Sequence, residues 1–202
     1  MVNGLSYGGS LNIVVAGVGG QGLLTFASIL ASAVLKRNFK VLVAETHGLS
    51  QRGGSIRVHV RIGDVDAPLV PIRLADTIVA LELIEAVRSI DYANRNTVIL
   101  ASKQILKPPL PGVKTPSVDE VLSMFKEFNM KTYIIDAEEI ALKAGSNLSA
   151  NIVMLGALLK TGMLSRFLDF QDVEEVIKDI GGPLLEVNLK ALRNGYEAVN
   201  IN

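Results

Sequence analysis

Short, largely apolar runs alternate along the chain with longer segments of helical character. The apolar runs are residues 13–16, 41–44, 77–81, 97–101 and 132–135. Uninterrupted runs of this length predict strands that are covered on both faces, as in parallel sheets. The helical segments are residues 23–35, 84–89, 121–128, 150–161, 172–179 and 184–199. Strands and helices that alternate in this order predict an α/β fold.

The expected architecture is Rossmann-like and doubly wound, with a mostly parallel sheet, helices on both faces and a helical C-terminal third. A chain of 202 residues is long enough for one sizeable core and too short for separate cofactor and substrate domains. We therefore expect residues 1–202 to form a single domain. Two helix starts have recognisable caps, because Ser117 is followed by Glu120 and Asp136 by Glu139.

One strand departs from the parallel pattern. Residues 55–62 alternate strictly between apolar and polar side chains, which puts Arg57, His59 and Arg61 on one face. A solvated strand face explains this alternation most simply, and a cationic strip that meets an acidic surface is the alternative. An ordinary dinucleotide domain would have a crossover helix before this strand, but only residues 45–54 are available. This departure argues against an ordinary NAD enzyme.

The first predicted strand leads into the glycine loop, Gly17-Val18-Gly19-Gly20-Gln21-Gly22, and then into a helix. Gly17, Gly19 and Gly22 have the spacing of dinucleotide-binding loops, in which N–H groups at a helix N-terminus approach a phosphate. Gly20 belongs to the same loop, and Gln21 could add a side-chain donor. Two interpretations stay open: a cradle for a phosphate or pyrophosphate, and a tight turn that binds nothing.

A second segment, Glu45-Thr46-His47-Gly48-Leu49-Ser50-Gln51-Arg52-Gly53-Gly54-Ser55, is too polar and too rich in glycine to be only a turn. Glu45 ends the second strand, where a dinucleotide domain has an acidic ribose ligand. The guanidinium of Arg52 suits a carboxylate or phosphate, and the alternative is a salt bridge to Glu45 or to a partner subunit. The residues expected to bind substrate or a partner are Glu45, Thr46, His47, Ser50, Gln51, Arg52, Gly53 and Gly54.

No residue is assigned to catalysis with certainty. His47 is the candidate general acid or base, but the sequence supplies no partner to orient its ring, so a structural or interface role is preferred. Glu82 and Glu85 form a possible carboxylate pair, yet their spacing places them at a helix start, where acidic side chains interact favourably with the helix dipole. Asn147 and Asn151 are interpreted as a cap and a buried amide.

Composition narrows the possible functions. Twenty basic and twenty acidic residues balance, which gives no sign of binding to nucleic acid or to a membrane surface. Without cysteine and with two histidines, we expect no metal site, and the chain cannot hold a cysteine-ligated iron–sulfur cluster. No apolar run spans a bilayer and no positively charged leader is recognisable, so a cytoplasmic location is expected. A mean hydropathy of +0.37 is high for a small domain. It indicates either an unusually complete core or a surface that is buried against another subunit, and the second explanation is preferred.

The glycine loop and the segment from Glu45 to Ser55 together resemble the gamma-type domain of the 2-oxoacid:ferredoxin oxidoreductases. The resemblance extends over essentially the whole chain and is strongest to the small subunits of the indolepyruvate-type enzymes. The glycine loop is shared with many nucleotide-binding folds. The second segment is the specific part of the resemblance.

This resemblance implies an accessory subunit that is inactive alone. A large catalytic subunit would carry thiamine diphosphate and iron–sulfur clusters, oxidatively decarboxylate an aryl pyruvate to an acyl-CoA and reduce ferredoxin. If the glycine loop binds a ligand, the phosphates of coenzyme A are the first candidate and NAD is the second. Self-association of the isolated chain, through the surface that its partner would cover, is left open by the sequence.

Two other functions remain open from the sequence. One is a small NAD(P)-dependent oxidoreductase that uses the glycine loop and Glu45. The other is a scaffolding module, without catalysis of its own, whose glycine loop is empty. Binding of NAD by the isolated chain would favour the first, and an active complex after a charge is placed in the glycine loop would favour the second.

Overall fold

A mixed β-sheet lies at the centre of the molecule. The computed structural model describes residues 9–48, 54–107, 112, 114–127 and 130–200. Within these residues the strands are β1 (Ser10–Val18), β2 (Val41–His47), β3 (Ser55–Gly63), β4 (Thr77–Ala80), β5 (Val98–Ser102) and β6 (Lys131–Ile135). Their order across the sheet is β2-β3-β1-β4-β5-β6.

The sheet is mostly parallel, as predicted. Strands β1, β4, β5 and β6 run parallel to one another, whereas β3 is antiparallel to both β1 and β2. Five of the six described strands therefore point in one direction, and β3 alone is reversed. After β1 the chain forms β2 and β3 on one side of this strand. It then forms β4, β5 and β6 on the other side.

Helices cover both faces of the sheet. They are α1 (Leu23–Lys36), α2 (Leu83–Arg88), α3 (Val118–Glu127), α4 (Ala137–Ala144), α5 (Ala150–Lys160), α6 (Phe170–Ile180) and α7 (Leu185–Ala198). Ile13 and Val15 of β1 face the main core with α1, α5 and α6, while Ala16 faces a second core with α2 and α3. Burial on both faces explains the continuous apolar run of β1. The doubly wound fold and the helical C-terminal third are confirmed.

The prediction for β2 is partly wrong. Its apolar run indicated a strand covered on both faces, but β2 is an edge strand that pairs antiparallel with β3 alone, and Val43 is 41% exposed. The cause is the register of β3, which pairs along its whole length with β1 and so displaces β2 to the edge. Local apolar pattern does not reveal which strand occupies the place beside β1.

The polar face of β3 is not solvated, so that prediction is also wrong. The connector between β3 and β4 lies over it, and His59 is buried. An N–H of the Arg61 guanidinium donates to the carbonyl of Ala67 at 2.8 Å, and the backbone N–H of Val70 donates to Nδ1 of His59 at 3.3 Å. These partners are neutral, so the alternative of an acidic surface is not observed either. Buried polar side chains here satisfy the backbone of a connector.

The predicted helix caps are confirmed. Oδ1 of Asp136 accepts from the N–H of Glu139 at 3.1 Å, and Ser117 and Glu120 cap each other reciprocally. The helix that follows Ser117 is predicted to end at Phe128, which lies outside the described residues. No helix among the described residues is long and apolar enough to cross a membrane.

Candidate functional site

Left-handed backbone shapes the turn between β1 and α1. Gly20 and Gly22 have φ values of +105° and +76°, and Gly22 caps α1 without a side-chain hydrogen bond. A Cβ on Gly22 would lie 2.5 Å from Nδ2 of Asn151, which donates to the carbonyl of Gly22 at 3.1 Å. Asn151 is therefore the buried amide that the sequence predicted. Packing within the chain already requires glycine at position 22.

The side chain of Gln21 braces the loop. Its Oε1 accepts from the N–H of Val18 at 2.8 Å, while Nε2 donates to the carbonyl of Leu81 at 3.0 Å and to Oε1 of Gln104 at 2.9 Å. Gln104 in turn donates to Glu138. Because both N–H bonds of the Gln21 amide are engaged, a ligand would have to displace one partner to use them.

The N-terminus of α1 offers backbone donors beside this turn. The first intrahelical bond runs from the N–H of Phe26 to the carbonyl of Gly22 at 3.0 Å. The N–H groups of Leu23, Leu24 and Thr25 have no hydrogen-bond partner among the described residues. The first turn carries no acidic residue. Unpaired N–H groups at the positive end of a helix suit an anionic group.

A pocket of about 470 Å³ opens beside these donors. It lies at the carboxyl ends of the strands, next to the junction of β1 and β4 where the strand order reverses. Doubly wound folds bind their ligands at this position. The lining residues include Gly20, Gln21, Gly22, Thr25, Leu81, Ser102, Gln104, Leu106, Glu138, Asn147, Leu148, Asn151, Ile152, Ile177, Ile180, Leu184 and Asn188.

The lining combines apolar side chains with amides. The amides are Gln21, Gln104, Asn147, Asn151 and Asn188, and Glu138 is the one charged side chain among the described lining residues. The apolar rim is open to solvent, because Leu148 is 74% and Ile180 is 63% exposed. Such a lining favours an uncharged, partly apolar group in the pocket, with any anionic group outside it at the N-terminus of α1.

The structure brings one end of the second segment to the glycine loop. The carbonyl of Gly54 accepts from the N–H of Gly19 at 3.0 Å, so the two sequence motifs touch. The intervening candidates lie outside the described residues, and so does the predicted contact between Arg52 and Glu45. These candidates are Ser50, Gln51, Arg52 and Gly53.

The other end of the segment lies on the edge strand, away from the pocket. Glu45 and His47 are exposed, and neither lines the pocket. Nδ1 of His47 lies 2.9 Å from the carbonyl of Gly48, and Thr46 lies within hydrogen-bond distance of the carbonyl of Arg57. Because β3 separates β2 from β1, Glu45 is not beside the glycine loop, where a ribose ligand would be needed. This geometry disfavours the NAD(P) hypothesis.

The helix-start interpretation of Glu82 is confirmed, but its burial was not foreseen. Glu82 is 2% exposed and caps α2 by accepting from the N–H of Glu85 at 2.9 Å. Its other oxygen accepts from the N–H of Leu106 at 2.9 Å. Burial raises the pKa of Glu82, and the backbone N–H bonds oppose that rise. No group of three or more potential metal ligands occurs among the described residues.

Comparison with known proteins places this chain in a family. The model of the pyruvate ferredoxin/flavodoxin oxidoreductase family matches residues 12–198. The chain is 45% identical to the indolepyruvate oxidoreductase subunit IorB of Archaeoglobus fulgidus, over 92% of this chain and 94% of that protein. It is 30% identical to the pyruvate/ketoisovalerate oxidoreductases common subunit gamma of Pyrococcus furiosus, over 92% and 95% of the two chains.

A solved structure has the same fold. The pyruvate oxidoreductase subunit PORC of Thermotoga maritima superposes with a TM-score of 0.73 at 24% sequence identity, covering 95% of this chain and 98% of that one. At this level of identity the similarity concerns the fold.

Proposed function

The chain belongs to the pyruvate ferredoxin/flavodoxin oxidoreductase family, and we propose that it is the small accessory subunit of an aryl-pyruvate:ferredoxin oxidoreductase that prefers indolepyruvate. The observation that carries this proposal is the 45% identity to an indolepyruvate oxidoreductase subunit over nearly the full length of both chains. Identity to the pyruvate/ketoisovalerate subunit is lower, at 30%.

In this proposal the redox chemistry belongs to a large partner subunit. That subunit carries thiamine diphosphate and iron–sulfur clusters, and the complex converts a 2-oxoacid to an acyl-CoA while it reduces ferredoxin. The sequence supports this division, because a chain without cysteine cannot hold a cysteine-ligated cluster. Exposed apolar side chains such as Leu69, Ile72 and Leu74 offer surface for a subunit contact. The cytoplasmic location remains a prediction of the sequence.

The glycine loop is the proposed site of coenzyme A. The phosphates would lie at the N–H groups of Leu23, Leu24 and Thr25, and an uncharged part of the molecule would enter the amide-lined pocket. The pocket volume of about 470 Å³ falls in the range of about 300–1,000 Å³ that is usual for small-molecule sites. In this proposal the backbone N–H groups bind the ligand, and the side chain of Gln21 only stabilises the loop.

A matched pair of variants at Gly20 tests this site. Gly20 is exposed, and a Cβ there would meet no atom within 4 Å. Asp and Asn have similar size and tolerate positive φ better than other side chains, so Gly20→Asp and Gly20→Asn differ mainly in charge. We expect Gly20→Asp to weaken coenzyme A binding by roughly tenfold relative to Gly20→Asn, measured by calorimetry, because of repulsion between carboxylate and phosphate.

Equal affinities of the two variants would contradict the phosphate position. Tight binding of NAD in place of coenzyme A would favour the NAD(P) hypothesis. An active complex with an unchanged KM for coenzyme A after Gly20→Asp would favour the scaffolding module.

A substrate comparison tests the proposed activity. The complex of this chain with the large subunit is assayed for coenzyme A-dependent ferredoxin reduction with indolepyruvate, phenylpyruvate and pyruvate. We expect the highest kcat/KM for indolepyruvate, the second highest for phenylpyruvate and the lowest for pyruvate. A preference for pyruvate would contradict the assignment to the indolepyruvate branch of the family.

A further inference from the structure

A buried carboxylate lies on α2, on the side of the sheet away from the main core. Glu85 is 1% exposed, Oε1 accepts from the guanidinium of Arg88 at 2.6 Å, and Oε2 accepts from the hydroxyl of Ser55 at 2.5 Å. A favourable interaction with the helix dipole does not require burial. Burial of an ionised carboxylate is costly unless its oxygens are paired, so the contact with Ser55 needs an explanation of its own.

Ser55 links this carboxylate to the glycine loop. It is the first residue of β3 and pairs with Val18, the last residue of β1. The preceding carbonyl, that of Gly54, accepts from the N–H of Gly19 at 3.0 Å. A continuous series of contacts therefore runs from Glu85 through Ser55 and Gly54 to the loop.

The end of α2 holds the same strand at a second point. Arg57 lies two residues after Ser55 on the same face of β3. Its Nε donates to the hydroxyl of Ser89 at 3.1 Å, and its guanidinium also donates to the carbonyl of Arg88 at 2.9 Å. With two consecutive positions on one face anchored to α2, the start of β3 cannot shift along β1 without breaking these bonds.

We infer that Glu85 is a positioning residue for the glycine loop, which it holds through Ser55 and the carbonyl of Gly54. Glu85 does not line the pocket, so its role is to fix the backbone that contacts Gly19 rather than to touch a ligand. The inference rests on the proposed function, in which this loop binds coenzyme A. It assigns a role to a carboxylate that the sequence presents only as a helix-start residue.

Ser55→Ala tests the inference because it removes the contact between Glu85 and β3 and keeps the bond between Glu85 and Arg88. Ser55→Thr retains the hydroxyl on a side chain that suits a β-strand, so it should retain the hydrogen bond to Glu85. Ser123→Ala is the matched control, because the Ser123 hydroxyl donates to the backbone carbonyl of Asp119 on the exposed face of α3. The three variants separate the loss of this one contact from a general effect of serine substitution.

Two readouts are measured. Hydrogen exchange of the Gly19 amide, followed by NMR on the full chain, should accelerate about tenfold or more in Ser55→Ala, because a hydrogen bond to a charged group is lost. In the complex, the KM for coenzyme A should rise by roughly tenfold with a smaller change in kcat. Ser55→Thr and Ser123→Ala should resemble the wild type in both readouts.

Unchanged Gly19 exchange and an unchanged KM in folded Ser55→Ala would overturn the inference, and so would a fall in thermal stability alone. If the wild-type complex shows no dependence on coenzyme A, the proposed function fails. In that case the Gly19 exchange rate, which needs no partner and no ligand, still decides whether Ser55 and Glu85 hold the loop.

Discussion

Two glycines of the loop lie close to side chains of the same chain. A Cβ on Gly17 would lie 2.8 Å from Oε1 of Gln21, and one on Gly22 would lie 2.5 Å from Nδ2 of Asn151. The spacing that predicts a phosphate loop therefore also serves the packing of a brace and a buried amide. Sequence spacing could locate the turn, but it could not separate these two reasons for glycine, because Asn151 is distant in sequence.

His59 gives the fold a dependence on pH. Burial, and then the nearby charge of Arg57, lowers the pKa of His59 below its ordinary value of 6.5. The unfolded chain therefore binds the proton more readily than the folded chain. Neutral His59 therefore contributes its full share to the free energy of unfolding above pH 6.5. This contribution is lost as the pH falls through the pKa of the folded chain, at a rate of at most about 1.4 kcal/mol per pH unit.

His59→Asn tests this pH dependence, since the Asn oxygen can still accept from the N–H of Val70 but does not titrate. Urea unfolding at pH 7.5 and 5.5 should show a smaller loss of stability for His59→Asn than for the wild type. His47→Asn is the control, because that ring is exposed, and it should behave like the wild type. Identical losses in all three proteins would rule out His59 as the source.

Backbone contact between α5 and α7 sets one wall of the pocket. A Cβ on Gly156 would lie 2.0 Å from the carbonyl oxygen of Leu192, and one on Gly195 would lie 2.0 Å from that of Val153. The two helices thus cross at a distance that only glycine allows. Ile152 and Asn188, which flank this crossing, line the pocket.

Gly156→Ala should therefore destabilise the protein, although alanine is the better helix former. Helix propensity alone would raise the free energy of unfolding by about 1 kcal/mol, whereas overpacking against a backbone that cannot move costs about 1–3 kcal/mol. We expect the free energy of unfolding, measured in urea, to fall by up to about 2 kcal/mol. An increase in stability would mean that the helices separate easily, and the close crossing would then be wrong.

Elements were easier to predict from the sequence than their partners. The apolar runs located β1, β4 and β5 because each is buried on both faces, and they also located β6, which is a partly buried edge strand. The cap residues located the starts of α3 and α4. The edge position of β2 was missed because it depends on the pairing of β3 with β1, which is a contact distant in sequence. The polar face of β3 was misinterpreted for the same reason, since its cover comes from the connector before β4.

The candidate site was predictable only in part. The glycine loop is continuous in sequence and carries a recognisable spacing, so it was found. The pocket wall was not, because Gln104, Glu138 and Asn188 come from the connector after β5, from α4 and from α7, and carry no motif. That residues 1–202 form one domain stays a prediction, as do the roles proposed for the segment between Glu45 and Ser55.

The requirement for this chain in a larger enzyme is tested most directly by ferredoxin reduction with indolepyruvate and coenzyme A. The large subunit is assayed alone, this chain alone, and then the two together across a titration of this chain. We expect no turnover by either subunit alone and saturable activity in the mixture. Equal activity of the large subunit with and without this chain would contradict this expectation.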